Sequence, residues 1–264
     1  MKVRTIALAT LGSFLRNKLI LLFCCLFACV VLLMMTPLLA YKAMTNTANA
    51  QQMQGFILNT VAGVMSLVSG FGSLLAAWAA ADSVAGEMKS GTILAVLARP
   101  LNRWEFLAGK YLGVLTLMTT YVVGMLFLAF FLAWLGGQGF HSSWWTLLVY
   151  PLVRYAIWAA IAMLLVTVMH PMFVMGIVII LATAVEYFAS SFSRIPGWFR
   201  IPVHLILPLT NLLSERRFLS ITQASIKPYP FTNHLIALAY GLDYALVCFL
   251  LAIFVFHYRN LTRD

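Results

Sequence analysis

Charge is scarce in this sequence. Of 264 residues only 9% are Asp, Glu, Lys or Arg, and only 7 are acidic. A soluble domain carries roughly 25% charged residues, so a soluble single-domain fold is excluded. The 63% apolar content equally excludes an intrinsically disordered chain. Cysteine is sparse too. Cys24, Cys25, Cys29 and Cys248 all lie in apolar stretches and form no CxxC pair, so neither a disulfide framework nor a zinc site is implied and buried packing thiols are expected. His141, His170, His204, His234 and His257 are scattered, with no helical His pair or mixed ligand cluster, which argues against a metal site. A GxxxxGK[ST] phosphate loop is missing, since the Gly-rich stretch 68–73 is apolar and lacks the lysine. This chain alone therefore does not hydrolyse a nucleoside triphosphate. No repeat or low-complexity tract is present.

What the sequence has is one long apolar run after another, with a mean hydropathy of +0.96. Each run approaches the ~20 residues that cross the hydrocarbon core of a bilayer. Six spans are predicted, at 19–40, 56–81, 111–135, 146–169, 172–189 and 235–256. Only His170-Pro171 separates the fourth from the fifth, but their combined length is too great for one helix. The first span follows Lys18 and lacks an A-x-A cleavage pattern, so it is expected to be a retained anchor. The reading is an all-α, multi-pass membrane protein whose residues 1–264 form a single transmembrane domain.

The net charge of +10 lies between the spans. It therefore reports topology and lipid headgroups rather than nucleic acid. Lys2, Arg4, Arg16, Lys18, Lys89, Arg99, Arg103, Lys110, Arg259 and Arg263 fall on one side, while the short loops of the other side hold only Lys42. The positive-inside rule then places both termini in the cytoplasm of a cell (inner) membrane. Against this stands segment 190–234, assigned outside yet carrying Arg194, Arg200, Arg216, Arg217 and Lys227. That segment is too apolar for a solvated loop, and Pro196, Pro202 and Pro208 break any long helix. It reads as a re-entrant or amphipathic outer segment. Residues 1–18 read as an interfacial helix, with Ile6, Leu8, Leu11, Phe14 and Leu15 at approximately helical spacing between basic flanks.

The most informative stretch is the cytoplasmic loop 83–103 and its flanks. Gly91 breaks the preceding helix, and Thr92 can cap a short helix over Ile93–Ala98. Arg99-Pro100 ends that helix, because a residue before proline is pushed out of the helical region. Asn102 and Glu105 have the spacing of a capping box and start the next helix. The product is a short helix across the membrane surface between spans two and three, usable as a lever by a soluble partner.

On Glu87, Ser90-Gly91-Thr92, Leu97, Arg99-Pro100, Arg103, Phe106 and Gly109-Lys110, the sequence resembles the signature between the second and third spans of type-2 ATP-binding-cassette (ABC-2) exporter permeases. Leu15-Arg16-Asn17-Lys18 is similar to the segment leading into their first span. The membrane subunits of nitrous-oxide-reductase maturation and gliding-motility transporters are the nearest in character. The resemblance implies a permease that is not itself an enzyme. It implies a partnership with two copies of a separate ABC ATPase, which binds the ATP and Mg, and with a second copy of this or a similar permease. It also makes Glu87, Gly91, Thr92, Ile93, Leu97, Arg99, Pro100 and Arg103 the ATPase-coupling residues. An ATP-independent channel or carrier would need no docking helix. An intramembrane enzyme would need paired Glu with His, or Ser with His, and Glu186 has no neighbouring Glu.

Arg154, Glu186 and Asp243 are ionisable residues within spans. Each is costly there, roughly 2.5–3.5 kcal/mol for Arg or Asp at mid-membrane, so partners are expected. Arg154 and Asp243 each lie about 12 Å from the outer end of their span at ~1.5 Å rise per residue. An ion pair between them is expected, with Glu186 a possible third member; lining a substrate path is the alternative. Ser69, Ser73, Ala77 and Ala81 repeat every four residues in span two, which permits close helix approach.

Overall fold

The computed structural model describes residues 2–44, 50–89, 102–135, 144–191 and 231–258. All of its elements there are α-helices: α1 (Lys2–Arg16), α2 (Lys18–Met44), α3 (Ala50–Lys89), α4 (Arg103–Leu135), α5 (Trp144–Val166), α6 (Pro171–Ser191) and α7 (Phe231–Tyr258). In hydrocarbon the backbone must satisfy its own polar groups, and a helix does so within one segment. Four stretches are long and apolar enough to cross a membrane: Gly63–Glu87, Arg103–Phe131, Leu147–Val166 and Leu235–Tyr258. Val3–Arg16 and Ile20–Leu33 form a pair bent by 67°, and Pro171–Val185 is a shorter apolar stretch. The predicted first and fifth spans correspond to α2 and α6.

The breaks between helices have local causes. The Asn17 amide donates to the Phe14 carbonyl at 3.0 Å, and the Asn17 carbonyl accepts from Leu21 at 3.3 Å, so this residue closes α1 and opens α2. The bend there makes α1 a helix in its own right. After α5 the His170 carbonyl accepts from Phe173 and Val174, and its Nδ1 accepts the Met172 amide at 3.4 Å. His170 thus caps α6, with Pro171 in the first-turn position where its missing N–H costs nothing. At Asn102 the Glu105 half of the predicted capping box forms, the Asn102 amide donating to Glu105 Oε2 at 3.0 Å, while the Glu105 amide donates to the Asn102 backbone carbonyl at 3.0 Å. α3 continues beyond Ala81 to Lys89, and α4 begins at Arg103, directly after the Asn102 cap and eight residues before its apolar span. Ser83, Val84 and Ala85 are buried, as are Phe106 and Leu107. Packing therefore sustains the helices where hydropathy falls away.

α5 is the central helix: 78% of its apolar window is buried, against 22% for α7, which lies at the periphery. α5 packs on α3 and α7, and α4 on α1 and α3. The Ser69, Ser73, Ala77 and Ala81 stripe is buried, as close helix approach requires. At Gly72 an added Cβ would collide with the Tyr155 ring from α5. The absence of a side chain lets the Tyr155 hydroxyl donate to the Val68 carbonyl at 3.2 Å. Of the cysteines only Cys248 is buried, while Cys25 and Cys29 are exposed on the apolar outer surface, so the expectation of four buried thiols fails.

Candidate functional site

The first turns of α4 receive three other helices. Lys110 lies two turns into α4, and its Nζ donates to Glu87 Oε1 at the end of α3. The lysine side chain is 9% exposed and the glutamate 27%. The ammonium also sits 5.7 Å from the centroid of the Phe106 ring, whose negative face favours a cation. This ion pair ties together the two helices from whose ends segment 90–101 emerges.

Arg103 reaches α7. Its Nη1 donates to the carbonyls of His257 at 2.9 Å and Phe256 at 3.3 Å. The last carbonyls of a helix lack partners within it, and a cation there complements the negative end of the helix dipole. One turn on, the Phe106 and Phe256 rings stack at 6.2 Å, and Tyr111 stacks on Phe249 at 4.7 Å. The Tyr111 hydroxyl donates to the Ala156 carbonyl of α5 at 2.9 Å.

Gly109 and Gly113 hold α1. A Cβ at Gly109 would lie 2.6 Å from Ile6 Cβ and 3.1 Å from the Val3 carbonyl oxygen. One at Gly113 would lie 2.8 Å from Thr10 Cβ and 3.0 Å from the Ala7 carbonyl oxygen. Two small residues four apart let the backbones approach. The Thr10 hydroxyl donates to the Ile6 carbonyl at 2.8 Å, so its methyl faces the glycine. Ile6, Thr10 and Phe14 thus turn toward the bundle, whereas Leu8 and Leu15 are exposed beside Arg4 and Arg16. The apolar residues of α1 divide between the bundle and the surroundings, as on a helix lying in a membrane interface.

Of the residues singled out in the sequence, Glu87 and Arg103 take part in this junction. Gly91, Thr92, Ile93, Leu97, Arg99 and Pro100 lie outside the described residues, as does most of 190–234. Gly113 and the pairing of Lys110 with Glu87 were not anticipated. The GxxxG spacing was the available signal for the first, while contact across 23 residues leaves none for the second.

A family model described as ABC-2 family transporter protein matches residues 4–261, nearly the whole chain. The chain belongs to the ABC-2 transporter family. No individual curated protein matches it. Membership makes this a multi-pass membrane component of an ABC transporter, and the apolar helices agree with that assignment.

The intramembrane charges fall out differently from expectation. Arg154 is buried in α5 and engaged by its neighbours. Asp243 is exposed on α7 together with Ile236, Tyr240, Val247, Leu250 and Phe254. Gly241, Ala245, Cys248, Ala252 and Phe256 form the buried face of that helix. At the helical repeat Asp243 points directly away from that face. Among the described residues it makes no ion pair with Arg154, because Asp243 faces away from the bundle in which Arg154 is buried. Glu186 lies in α6, with its side chain outside the described ones. Asp243→Asn should accordingly leave the melting midpoint unchanged or slightly raised, because it removes an outward charge. Arg154→Gln should lower the midpoint, because it takes away the contacts of a buried and engaged guanidinium and leaves their partners unsatisfied. Thermal unfolding of both single variants and the double variant checks this. The two effects should add, and a coupling well above 0.5 kcal/mol would restore the pair.

Proposed function

We propose that this ABC-2 chain is the permease half of an ATP-driven exporter, converting nucleotide-dependent closure of a separate ATPase into movement of its spans. The convergence of α1, α3 and α7 on the first turns of α4 carries this reading. A push delivered through residues 90–101 enters α4 at Arg103. From there it reaches α7 through the carbonyl cap, α3 through the Glu87–Lys110 pair, and α1 through the glycine seat. In this reading Gly91, Thr92, Ile93, Leu97, Arg99 and Pro100 form the surface the ATPase engages. Six spans cross the inner membrane of the cell with both termini in the cytoplasm. Two such chains, or this chain and a similar permease, face two ATPases that bind the ATP and Mg. This chain performs no catalysis. An ATP-independent carrier would have no use for a junction of this kind, and family membership also speaks against it.

The test is purification of tagged chain from its own host, read as ATP hydrolysis by the purified complex. A hydrolysing subunit in stoichiometric amount is expected. Arg99→Glu should uncouple hydrolysis from transport, or release the ATPase, without altering the melting midpoint of the permease. Arg103→Glu should do the same and also lower the midpoint, because Arg103 holds the end of α7. Preparations without any ATP-hydrolysing partner, or unchanged coupling in Arg99→Glu, would count against the proposal.

A further inference from the structure

Near the middle of α3 the chain reads Ser69-Gly70-Phe71-Gly72-Ser73. Gly70 and Gly72 lower helix propensity there. The Ser73 hydroxyl donates to the Gly70 carbonyl at 2.6 Å, a back-bond of the kind that bends helices. One residue earlier, the Val68 carbonyl is the acceptor that the helical ladder assigns to the Gly72 amide. It also accepts from the Tyr155 hydroxyl of α5 at 3.2 Å, and the Tyr121 hydroxyl of α4 lies 3.5 Å from it. Both tyrosines are buried. Ser73 and Ser83 donate to the carbonyl three residues before them, whereas Ser69 Oγ is buried with no hydrogen-bond partner among the described residues. Ser69 stands three residues before Gly72. That is the spacing of an N-cap, whose side-chain oxygen accepts from the amide at N3.

The geometry points to a hinge in α3 that opens at one bond, from the Gly72 amide to the Val68 carbonyl. In hydrocarbon an opened helix bond is costly unless neighbouring groups take over its donor and its acceptor. Both replacements are in place here. Tyr155, with Tyr121 behind it, keeps the Val68 carbonyl satisfied, and Ser69 Oγ turns to accept the Gly72 amide. The idle buried hydroxyl is thus a partner held for the bent conformation. Glycine and serine pairs are where helices kink. The half of α3 from Gly72 to Glu87 is about 22 Å long at ~1.5 Å rise per residue, so a kink of about 20° moves Glu87 by about 8 Å. The Glu87–Lys110 pair passes that motion to the start of α4. The hinge rests on the coupling reading for what drives the bend, and on the α3 bonds alone for where it occurs.

Spin labels at Gly86→Cys and Met172→Cys read the bend, with Cys24, Cys25, Cys29 and Cys248 replaced by alanine. A side chain at Gly86 has nothing within 4 Å of its Cβ, and Met172 is exposed at the start of α6, which packs on α3. Distances are measured in lipid nanodiscs on the complex with its ATPase, first nucleotide-free and then trapped with ATP and vanadate. Two distances are expected, with weights that shift on trapping. Gly70→Ala meets no neighbour within 4 Å and strengthens the helix at the hinge, so it should reduce the bent population about fivefold. Ser69→Ala removes the replacement cap and no bond of the present conformation, so it should do the same without lowering the melting midpoint. Gly63→Ala, equally free of clashes on the same helix, should leave the weights unchanged. With the native cysteines kept, ATP-driven transport should fall in Gly70→Ala and Ser69→Ala but not in Gly63→Ala, and this arm decides if the cysteine-free chain does not fold. Chain that purifies without an ATPase ends the coupling reading alone; the hinge is then read from the chain by itself, as a broad distance distribution that Gly70→Ala and Ser69→Ala narrow. One distance throughout, weights that neither variant changes, an equal effect of Gly63→Ala, or a Ser69→Ala chain with a lowered midpoint and full transport would overturn the hinge.

Discussion

Lys110→Met should be among the most damaging single substitutions in this protein. The lysine is nearly buried, and its ammonium is held by Glu87 and the Phe106 ring. Its removal leaves a carboxylate that is only about a quarter exposed without its cation. Breaking a buried pair from one side typically costs ~3–5 kcal/mol. Because water still reaches part of Glu87, about 2–4 kcal/mol is the better expectation. Glu87→Leu should cost a similar amount for the converse reason. The double variant removes both charges and restores apolar contact, so it should recover much of the stability. Function should not recover with it. Under the coupling proposal, the pair is what makes the ends of α3 and α4 move together. Thermal unfolding of the four proteins gives the coupling energy, and ATP-driven transport in vesicles gives the functional arm. Strictly additive losses would show that the pair contributes nothing specific. A double variant with full transport would show that the pair is a structural fastening only.

The helices were legible because apolar runs of this length have one means of satisfying their backbones in a bilayer. Their ends were legible where a capping residue or proline marks them, at Asn102 with Glu105 and at His170 with Pro171. The direction each helix faces was not legible. In a soluble helix the polar face identifies the outside, but here both the lipid side and the bundle side are apolar. Asp243 shows the consequence: rise per residue gave its depth, and nothing in the sequence gave its rotation about α7. The junction at α4 was only half legible. Glu87, Arg103, Gly109 and Lys110 stood out as a pattern, yet each serves a different neighbour. Arg103 meets carbonyls 153 and 154 residues away, and backbone acceptors leave no mark on a sequence.

Gly113→Ala offers the sharpest test of that junction, because two effects oppose each other in sign. In an exposed helix interior the change should stabilise by about 0.8–1.0 kcal/mol through backbone propensity. At Gly113 the new methyl would lie 2.8 Å from Thr10 Cβ and 3.0 Å from the Ala7 carbonyl oxygen. The carbonyl belongs to the α1 backbone and cannot rotate away, so α1 must shift as a body. Overpacking of this kind typically costs ~1–3 kcal/mol, which outweighs the propensity gain. Gly109→Ala should behave alike, since its methyl would meet Ile6 Cβ at 2.6 Å and the Val3 carbonyl oxygen at 3.1 Å. Gly124 is the control on the same helix, with nothing within 4 Å of its would-be Cβ. Gly124→Ala should be neutral or stabilising. Gly113→Leu exceeds any small adjustment and should displace α1 from α4, exposing the chain around Arg16 and Asn17 to trypsin. Melting midpoints and limited proteolysis read both consequences. If Gly113→Ala and Gly124→Ala shift the midpoint equally, and Gly113→Leu is cleaved no faster than the native chain, then α1 is not seated on those glycines and force entering α4 has no path to it.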